Sequence, residues 1–220
     1  MFKSFAPLAA SAALVMAAAT AASLPDGTWP ASTGTVQYSK AYTVKAGEVF
    51  DGKMQTFERS DIECNGQSES GSSTAVFLVE AGGTLKNVII GKNQMEGVHC
   101  DKHDCVIENV WWDDVCEDAL SIKGGSPSSV SKVIGGGARY ADDKVIQHNG
   151  YGKVEIDGFY GEDISKLYRS CELGRPGYAE QHLGQVEQIR EGMPVVPGQC
   201  QRRAEDPGQW TLAASVPVRH

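Results

Sequence analysis

A triplet that returns at a nearly constant interval constrains the fold of this chain more than any other feature. The interval between the first residues of successive triplets is 22, then 25, then 22 residues. Repeats of roughly 20 to 50 residues are typical of solenoids, in which each repeat forms one coil. The triplets are Glu96-Gly97-Val98, Asp118-Ala119-Leu120, Asp143-Lys144-Val145 and Ser165-Lys166-Leu167.

The segments around the triplets indicate the kind of coil. They are short, rich in β-branched and aromatic residues, and bounded by Gly, Asn and Asp, which predicts strands joined by turns. Stacked parallel strands lie about 4.8 Å apart, so equivalent residues of successive coils form columns. The repeat therefore predicts an all-β fold, a parallel β-helix.

One predicted column is acidic. The triplet alignment places Glu96, Asp118 and Asp143 one above another, with Glu117 at the same edge. Two like charges about 5 Å apart repel by about 3 kcal/mol at an effective dielectric near 20, so such a column needs protons or a cation. Carboxylates alone suit a hard ion, and Ca²⁺ tolerates irregular geometry. The alternative is that these side chains are ordinary solvated acids.

The neighbouring column is predicted to be basic. It would hold Lys144 and Lys166, and Arg169 follows three residues after Lys166. A lysine beside another cation has a lowered pKa, and its neutral form is a base. Arginine suits bidentate binding of a carboxylate. Beside an acidic metal column, these cations indicate a site for a polyanion, although each alone is compatible with a solvated surface position.

Composition limits the class of protein. The net charge of −8 and the pI of about 5.1 argue against nucleic acid as a partner. Residues 1–22 have the basic start, short apolar stretch and small residues of a secretory signal, and no segment has the roughly 18 apolar residues of a membrane span. We therefore expect a secreted, extracellular monomer without membrane or nucleic-acid partners.

The six cysteines fit that compartment, because exported chains form disulfides. Cys100 and Cys105 are close enough in sequence to close a small loop, and the other pairings stay open. Scattered histidines and the absence of a CxxC pair argue against zinc. His99 and His148 are interpreted as structural histidines rather than catalytic ones.

The chain divides into three parts. Residues 1–22 are the predicted signal peptide, and residues 23–171 are the predicted β-helix. From residue 172 to 220 the repeat interval is lost and Gly, Pro, Gln and Arg dominate, which predicts an irregular tail.

Five motifs together resemble pectate lyases of polysaccharide lyase family 3, particularly secreted fungal ones. They are EGVHC at 96–100, IENVWW at 107–112, EDA at 117–119, ADDKVIQHN at 141–149 and KLYRSC at 166–171. The resemblance covers residues 24–171. Family members continue for further coils beyond this point, whereas residues 172–220 do not match them.

The resemblance implies a right-handed parallel β-helix that cleaves polygalacturonate (pectate) by Ca²⁺-dependent β-elimination. It implies Ca²⁺ at Glu96, Glu117 and Asp118, with Asp143 at an ion that bridges to substrate. It implies Lys144 and Arg169 as catalytic residues, with Lys144 the base. Lys166 and Arg169 would bind substrate.

Two other functions remain compatible with the sequence. One is a secreted polysaccharide hydrolase that uses two carboxylates and water, which predicts no unsaturated product and no sensitivity to chelator. The other is a non-catalytic or inactive, truncated β-helix that binds polysaccharide, which predicts binding without turnover.

Overall fold

The computed structural model describes residues 27–172, 186–187, 195–202 and 210–212. The predicted signal peptide lies outside these residues. The described residues form strands and one 3-10 helix at Ser72–Thr74, with no α-helix among them. The strands are β1 (Thr35–Tyr38), β2 (Tyr42–Val44), β3 (Val49–Arg59), β4 (Ala75–Val79), β5 (Thr84–Ile90), β6 (Glu96–Cys100), β7 (Val106–Trp112), β8 (Asp118–Gly124), β9 (Val130–Ile134), β10 (Gly137–Gly150), β11 (Lys153–Asp157), β12 (Tyr160–Glu172), β13 (Val186–Glu187), β14 (Val195–Arg202) and β15 (Trp210–Leu212).

The strands stack as a right-handed parallel β-helix, as the repeat and the resemblance predicted. One face, here called face A, stacks β2, β4, β6, β8, β10, β12 and β14 in parallel. Long strands bend around corners, so β10 pairs with β7 at its start and with β8 at its end. Parallel sheets need both sides covered, and here the coil closes on itself to provide one interior.

Inside the coil, equivalent residues stack in apolar files. Val98, Leu120 and Ile146 are successive partners on face A, and each is at most 1% exposed. Burying one such side chain stabilises the fold by about 1.5–3 kcal/mol. The files therefore hold each coil at its level in the stack.

Aromatic side chains fill the first coils. Phe77 is fully buried and its ring lies 5.2 Å from those of Phe50 and Phe57 and 5.9 Å from those of Tyr38 and Tyr42. Tilted and edge-to-face ring pairs at these distances are favourable beyond their buried area. This cluster gives the amino-terminal end of the solenoid a packed interior.

An asparagine ladder runs along one corner. The side-chain amide of Asn109 donates to Asn87 Oδ1 at 2.9 Å, and that of Asn87 donates to Asp51 Oδ1 at 3.0 Å. Trp111 Nε1 in turn donates to Asn109 Oδ1 at 2.7 Å. Both asparagines have φ of 53°, the left-handed region that asparagine tolerates better than most residues. The corner thus uses asparagine for its backbone and for its hydrogen bonds.

A row of buried polar side chains in mutual contact lies near the carboxyl ends of the face A strands. His103 Nε2 lies 3.2 Å from His148 Nε2, His148 Nδ1 lies 2.8 Å from the Tyr168 hydroxyl, and Ser131 Oγ lies 2.8 Å from His103 Nδ1. Burial, with the neighbouring charge of His103, lowers the pKa of His148 to about 4. This buried pair agrees with the structural role expected for His148.

Two disulfides join described cysteines. The expected Cys100–Cys105 loop is present, and Cys64 pairs with Cys116 across 52 residues. The side chain of Cys171 and that of Cys200 lie outside the described part of the structure. Within 172–220, predicted to be irregular, the structure describes β13, β14 and β15, of which β14 pairs in parallel with β12.

Candidate active site

One file of charged residues follows the strand register of face A. Glu96 of β6 pairs with Asp118 of β8, Asp118 with Lys144 of β10, and Lys144 with Lys166 of β12. The file therefore changes from acidic to basic halfway along, so that opposite charges are neighbours in the stack.

This register corrects the predicted columns. Asp143 does not stack on Asp118, and Lys144 and Lys166 do not form a separate column, because the second interval of the file, from Asp118 to Lys144, is 26 residues rather than 25. The residues by which this interval exceeds 22 lie between β8 and β9, where the sequence predicted a loop at 124–129. Loop length is not set by strand periodicity, so the triplet alignment was wrong by one residue there.

Asp143 reaches the site through an irregularity in β10. Ala141 pairs with Ile164 and Lys144 with Lys166, so Asp142 and Asp143 of β10 oppose Ser165 alone. An extra residue of this kind is a β-bulge, which re-aims side chains. The Asp143 carboxylate lies 2.5 Å from Lys144 Nζ, 2.5 Å from Lys166 Nζ and 3.9 Å from Arg169 Nη1.

The acidic end of the site consists of Glu96, Glu117 and Asp118. All three are at most 8% exposed. Burial, with the charge of Glu96, a hydrogen bond to it and the charge of Asp118, raises the pKa of Glu117 to about 8. Burial also raises the pKa of Asp118 to about 7, although Lys144 opposes that shift. Without a cation, protons therefore compensate part of the charge of this cluster.

His99 supports Glu96 from behind. Its ring is fully buried, with Nε2 at 3.1 Å from Glu96 Oε2 and Nδ1 at 3.0 Å from Asp101 Oδ1. Burial lowers the pKa of His99, but the two carboxylates outweigh it, and the net pKa is raised. For Glu96, burial raises the pKa, yet the hydrogen bond and charge of His99 lower it overall. The charged form of Glu96 is thus favoured.

The basic end consists of Lys144, Lys166 and Arg169. Lys144 Nζ also lies 3.1 Å from Asp118 Oδ1. Burial lowers the pKa of Lys144, but Asp118 and Asp143 outweigh it, so the net pKa is raised. The expectation of a lowered pKa for Lys144 was therefore wrong for this ion-free arrangement, because the nearest charges are carboxylates rather than Lys166.

Arg169 retains a group available for a ligand. Its side chain is 7% exposed, and Nη2 is a buried atom without a hydrogen-bond partner among the described residues. A buried guanidinium donor without an acceptor is unfavourable, so this atom favours an added anionic oxygen. Burial lowers the pKa of Arg169, while the charges of Asp143, Asp118 and Glu69 oppose the shift.

The capacity of the cluster for a cation follows from its charges. No group of three or more His, Cys, Asp or Glu side chains in the described part already has the arrangement of a metal site. Nevertheless, burial raises the pKa of Glu117 to about 8 and that of Asp118 to about 7, so both carboxyl groups hold a proton more tightly than free acids do. A hard divalent cation could replace those protons, and the oxygen-only ligands suit Ca²⁺.

The structure brings the predicted site residues together on face A, and it shows two supporting contacts that sequence reasoning missed. Glu96, Glu117, Asp118, Asp143, Lys144, Lys166 and Arg169 are all brought together. The contact of His99 with Glu96 was missed, although its spacing three residues after Glu96 was a usable signal. The contact of Ser70 with Glu117 was missed because Ser70 lies in a loop without any repeat.

The fold and the site together define a parallel β-helix protein with a compact set of carboxylates and cations on face A. The family model described as pectate lyase matches residues 26–182. The chain therefore belongs to the pectate lyase family.

Curated relatives agree with that assignment. A probable pectate lyase G of Emericella nidulans is 58% identical over 142 residues, which is 64% of this chain and 54% of that protein. A probable pectate lyase D of Aspergillus fumigatus is 54% identical over 158 residues, 72% of this chain and 62% of that protein. Pectate lyase H of Emericella nidulans is 52% identical over 169 residues, 77% of this chain and 61% of that protein. The chain matches little more than half the length of these relatives.

Proposed function

We propose that this protein is a pectate lyase that cleaves polygalacturonate by Ca²⁺-dependent β-elimination and releases unsaturated oligogalacturonides. The observation that carries the proposal is the file in which Asp118 and Lys144 are neighbours, with Asp143 bridging Lys144 and Lys166. Together with Arg169 and Glu117, this file brings the proposed base, two further cations and a carboxylate cluster close to one another, which supports the proposal. The names of the relatives support the same reaction.

Glu96, Glu117, Asp118 and Asp143 would hold the ion. When bound, Ca²⁺ would supply positive charge that compensates the carboxylates and the substrate uronate. Protons held by Glu117 and by Asp118 would then be released, because an opposite charge favours the ionised carboxylate.

Lys166 and Arg169 would orient the substrate. The unpaired Nη2 of Arg169 provides a donor for a uronate carboxylate oxygen. Withdrawal of charge from that carboxylate acidifies the adjacent C5–H, which is the proton removed in β-elimination. Electrons of the broken C5–H bond form the new double bond to C4, and the C4–O bond breaks with its pair on the leaving oxygen.

Lys144 would remove the C5 proton in its neutral form. In the ion-free site its ammonium is held by Asp118 and Asp143, which raises its pKa. If the two carboxylates are engaged by a cation, that stabilisation of the ammonium weakens, and the neutral form becomes more accessible. Substrate and ion together would thus prepare the base. Because only neutral lysine acts, the rate is expected to rise toward alkaline pH.

Secretion is part of the proposal. Both disulfides of the described residues are typical of an oxidising compartment. The described residues also include no helix that is long and apolar enough to cross a membrane. Pectate is an extracellular polymer, so a secreted enzyme would meet it directly.

One assay separates the proposal from the two alternatives. Purified full-length protein is incubated with polygalacturonate, with and without a chelator, and unsaturated product is followed by ultraviolet absorbance. The proposal expects absorbance that the chelator abolishes and added Ca²⁺ restores. Reducing ends without absorbance would indicate a hydrolase, and binding without any product would indicate a non-catalytic binder.

A further inference from the structure

An exposed segment touches the acidic cluster from outside the repeat. Residues 64–71, here called the strap, join the region after β3 to the 3-10 helix before β4. Its first six residues are exposed, and only its last two are partly buried. The strap lacks regular secondary structure, so contacts with the solenoid must fix its position.

The strap is tied to the residue next to Glu117. Cys64 forms a disulfide with Cys116, and Gln67 Nε2 donates to the Cys116 carbonyl at 2.5 Å. The backbone N–H of Asn65 also donates to Met95 Sδ at 3.1 Å. The disulfide and the Gln67 hydrogen bond therefore meet the solenoid at the short turn that leads into β8, and the Asn65 contact meets it just before β6.

At its far end the strap binds Glu117 directly. The Ser70 backbone N–H donates to Glu117 Oε2 at 3.1 Å, and the Ser70 hydroxyl donates to the same oxygen at 3.3 Å. Glu117 precedes β8, and although its backbone N–H donates to the Met95 carbonyl at 3.0 Å, that bond does not fix the rotamer of its side chain. Two donors on one oxygen restrict rotation of the carboxylate.

We infer that the strap presets the geometry of the proposed Ca²⁺ site, with Ser70 as a positioning residue for Glu117 and the Cys64–Cys116 disulfide as its tether. The inference rests on the proposed function. Partners that orient a ligand side chain typically change metal affinity by about 10- to 100-fold when removed. The tether matters because an exposed eight-residue loop without it would visit many conformations and lose the Ser70 contact.

The tether is also chemically accessible. Cys64 is exposed, whereas Cys116 is 3% exposed. A small dithiol can therefore reach the Cys64 sulfur. Thiol–disulfide exchange would leave Cys64 and Cys116 as two thiols and the dithiol as its own cyclic disulfide. Reduction would then lower Ca²⁺ affinity without any change in the ligands themselves.

The test measures Ca²⁺ binding to the full chain by titration calorimetry and, separately, the Ca²⁺ concentration that gives half-maximal lyase activity. Ser70→Ala removes the hydroxyl donor, Ser70→Thr restores one, and Ser68→Ala is the matched control. Ser68 is a strap serine whose hydroxyl donates to the Asn65 carbonyl and not to Glu117. Thermal unfolding of each variant reports its stability.

We expect Ser70→Ala to weaken Ca²⁺ binding about tenfold and to shift half-maximal activity to higher Ca²⁺ by the same factor, with kcat recovered at saturating Ca²⁺. Ser70→Thr should bind within about twofold of the unmodified protein, and Ser68→Ala should not differ from it. Equal affinities for Ser70→Ala and Ser68→Ala would overturn the inference.

The tether is tested with the double variant Cys64→Ser, Cys116→Ser and with dithiol treatment of the unmodified protein. Both should weaken Ca²⁺ binding, and dithiol should not weaken it further in the double variant. Unchanged Ca²⁺ binding in the double variant would overturn the role of the tether. If the double variant does not fold, Ser70→Ala still decides the inference.

The two proposals fail differently. If the unmodified protein binds Ca²⁺ and forms unsaturated product while Ser70→Ala is unchanged, only the strap inference fails. If the unmodified protein neither binds Ca²⁺ nor forms product, the proposed function fails and the strap inference fails with it.

Discussion

Lys144 stacks directly on Asp118 in the parallel register of face A, and its ammonium lies 3.1 Å from the Asp118 carboxylate. A candidate base and a candidate metal ligand therefore form a buried ion pair when no other charge is present. Breaking such a pair from one side leaves an uncompensated charge, so each partner constrains what can replace the other.

Removal of the base is the first prediction. Lys144→Ala should reduce formation of unsaturated product by about 10²- to 10⁴-fold, the usual contribution of general acid–base catalysis. Lys132→Ala is the control, because Lys132 is an exposed lysine whose nearest carboxylate is Glu155, at 3.9 Å. Initial rates at several pH values provide the measurement. Substantial activity in Lys144→Ala would exclude Lys144 as the base.

Stability without Ca²⁺ should fall as pH rises. The folded-state pKa values of Glu117, about 8, and Asp118, about 7, lie above their ordinary values of 4.5 and 3.8. The folded state therefore binds these protons more tightly than the unfolded chain, and the resulting stability is present at low pH and lost as pH rises through about 8. Urea unfolding in the presence of chelator, at about pH 5, 7 and 9, measures this loss of stability.

Added Ca²⁺ should remove much of that dependence. An ion that binds only the folded state stabilises it by about 2.7 kcal/mol at a hundredfold excess over its Kd. The stabilisation by Ca²⁺ should be larger at about pH 9 than at about pH 5, because at the lower pH the ion must displace protons from Glu117 and Asp118. Asp118→Asn should reduce the gain. An equal melting temperature with Ca²⁺ and with chelator at every pH would contradict the ion site.

The buried histidine pair should act in the opposite direction. His148 has a folded pKa of about 4, below its ordinary value of 6.5, so the folded state favours the neutral ring. Its contribution is complete above 6.5 and is lost as pH falls toward 4. Burial lowers the pKa of His103 as well, although the charge of Asp104 opposes that shift.

The variant His148→Gln tests this contribution. It should weaken the decline in stability between those two pH values, although it also removes packing and hydrogen bonds to Tyr168 and His103. Chemical denaturation at closely spaced pH values gives the slope. An unchanged slope in the variant would mean that other groups cause the acid sensitivity.

Two variants of Asn109 in the asparagine ladder distinguish the effect of its backbone conformation from that of its hydrogen bonds. Asn109→Ala loses the bonds to Asn87 and Trp111 and also places alanine at φ of 53°. Asn109→Gly loses the same bonds but accepts that conformation. We expect each to destabilise by about 1–3 kcal/mol, with alanine worse by about 1 kcal/mol, as measured by urea denaturation. Equal losses for the two variants would show that the hydrogen bonds alone account for the effect.

The fold was predictable because a solenoid repeats its packing. Val98, Leu120 and Ile146 occupy equivalent sites in neighbouring coils, and that equivalence is visible as periodicity in the sequence. Asp143 was misplaced because the repeat was counted across an irregular loop. Its actual role, as a bridge between two lysines, depends on a bulge that no period encodes.

Contacts made by non-repeating residues were not predictable from the pattern. The Cys64–Cys116 pairing and the contact of Ser70 with Glu117 depend on how an irregular segment folds back over face A. The raised pKa of Lys144 likewise depends on which charges are nearest in three dimensions. Periodicity indicates levels in the stack, but it does not indicate where insertions lie on the surface.

The loop at 124–129 carries the surplus residues of its coil, yet the strands on either side keep their partners. Interior contacts, rather than contour length, hold each level of the stack. New segments can therefore enter at such corners during evolution and reshape the surface beside face A, while the charged file stays in register.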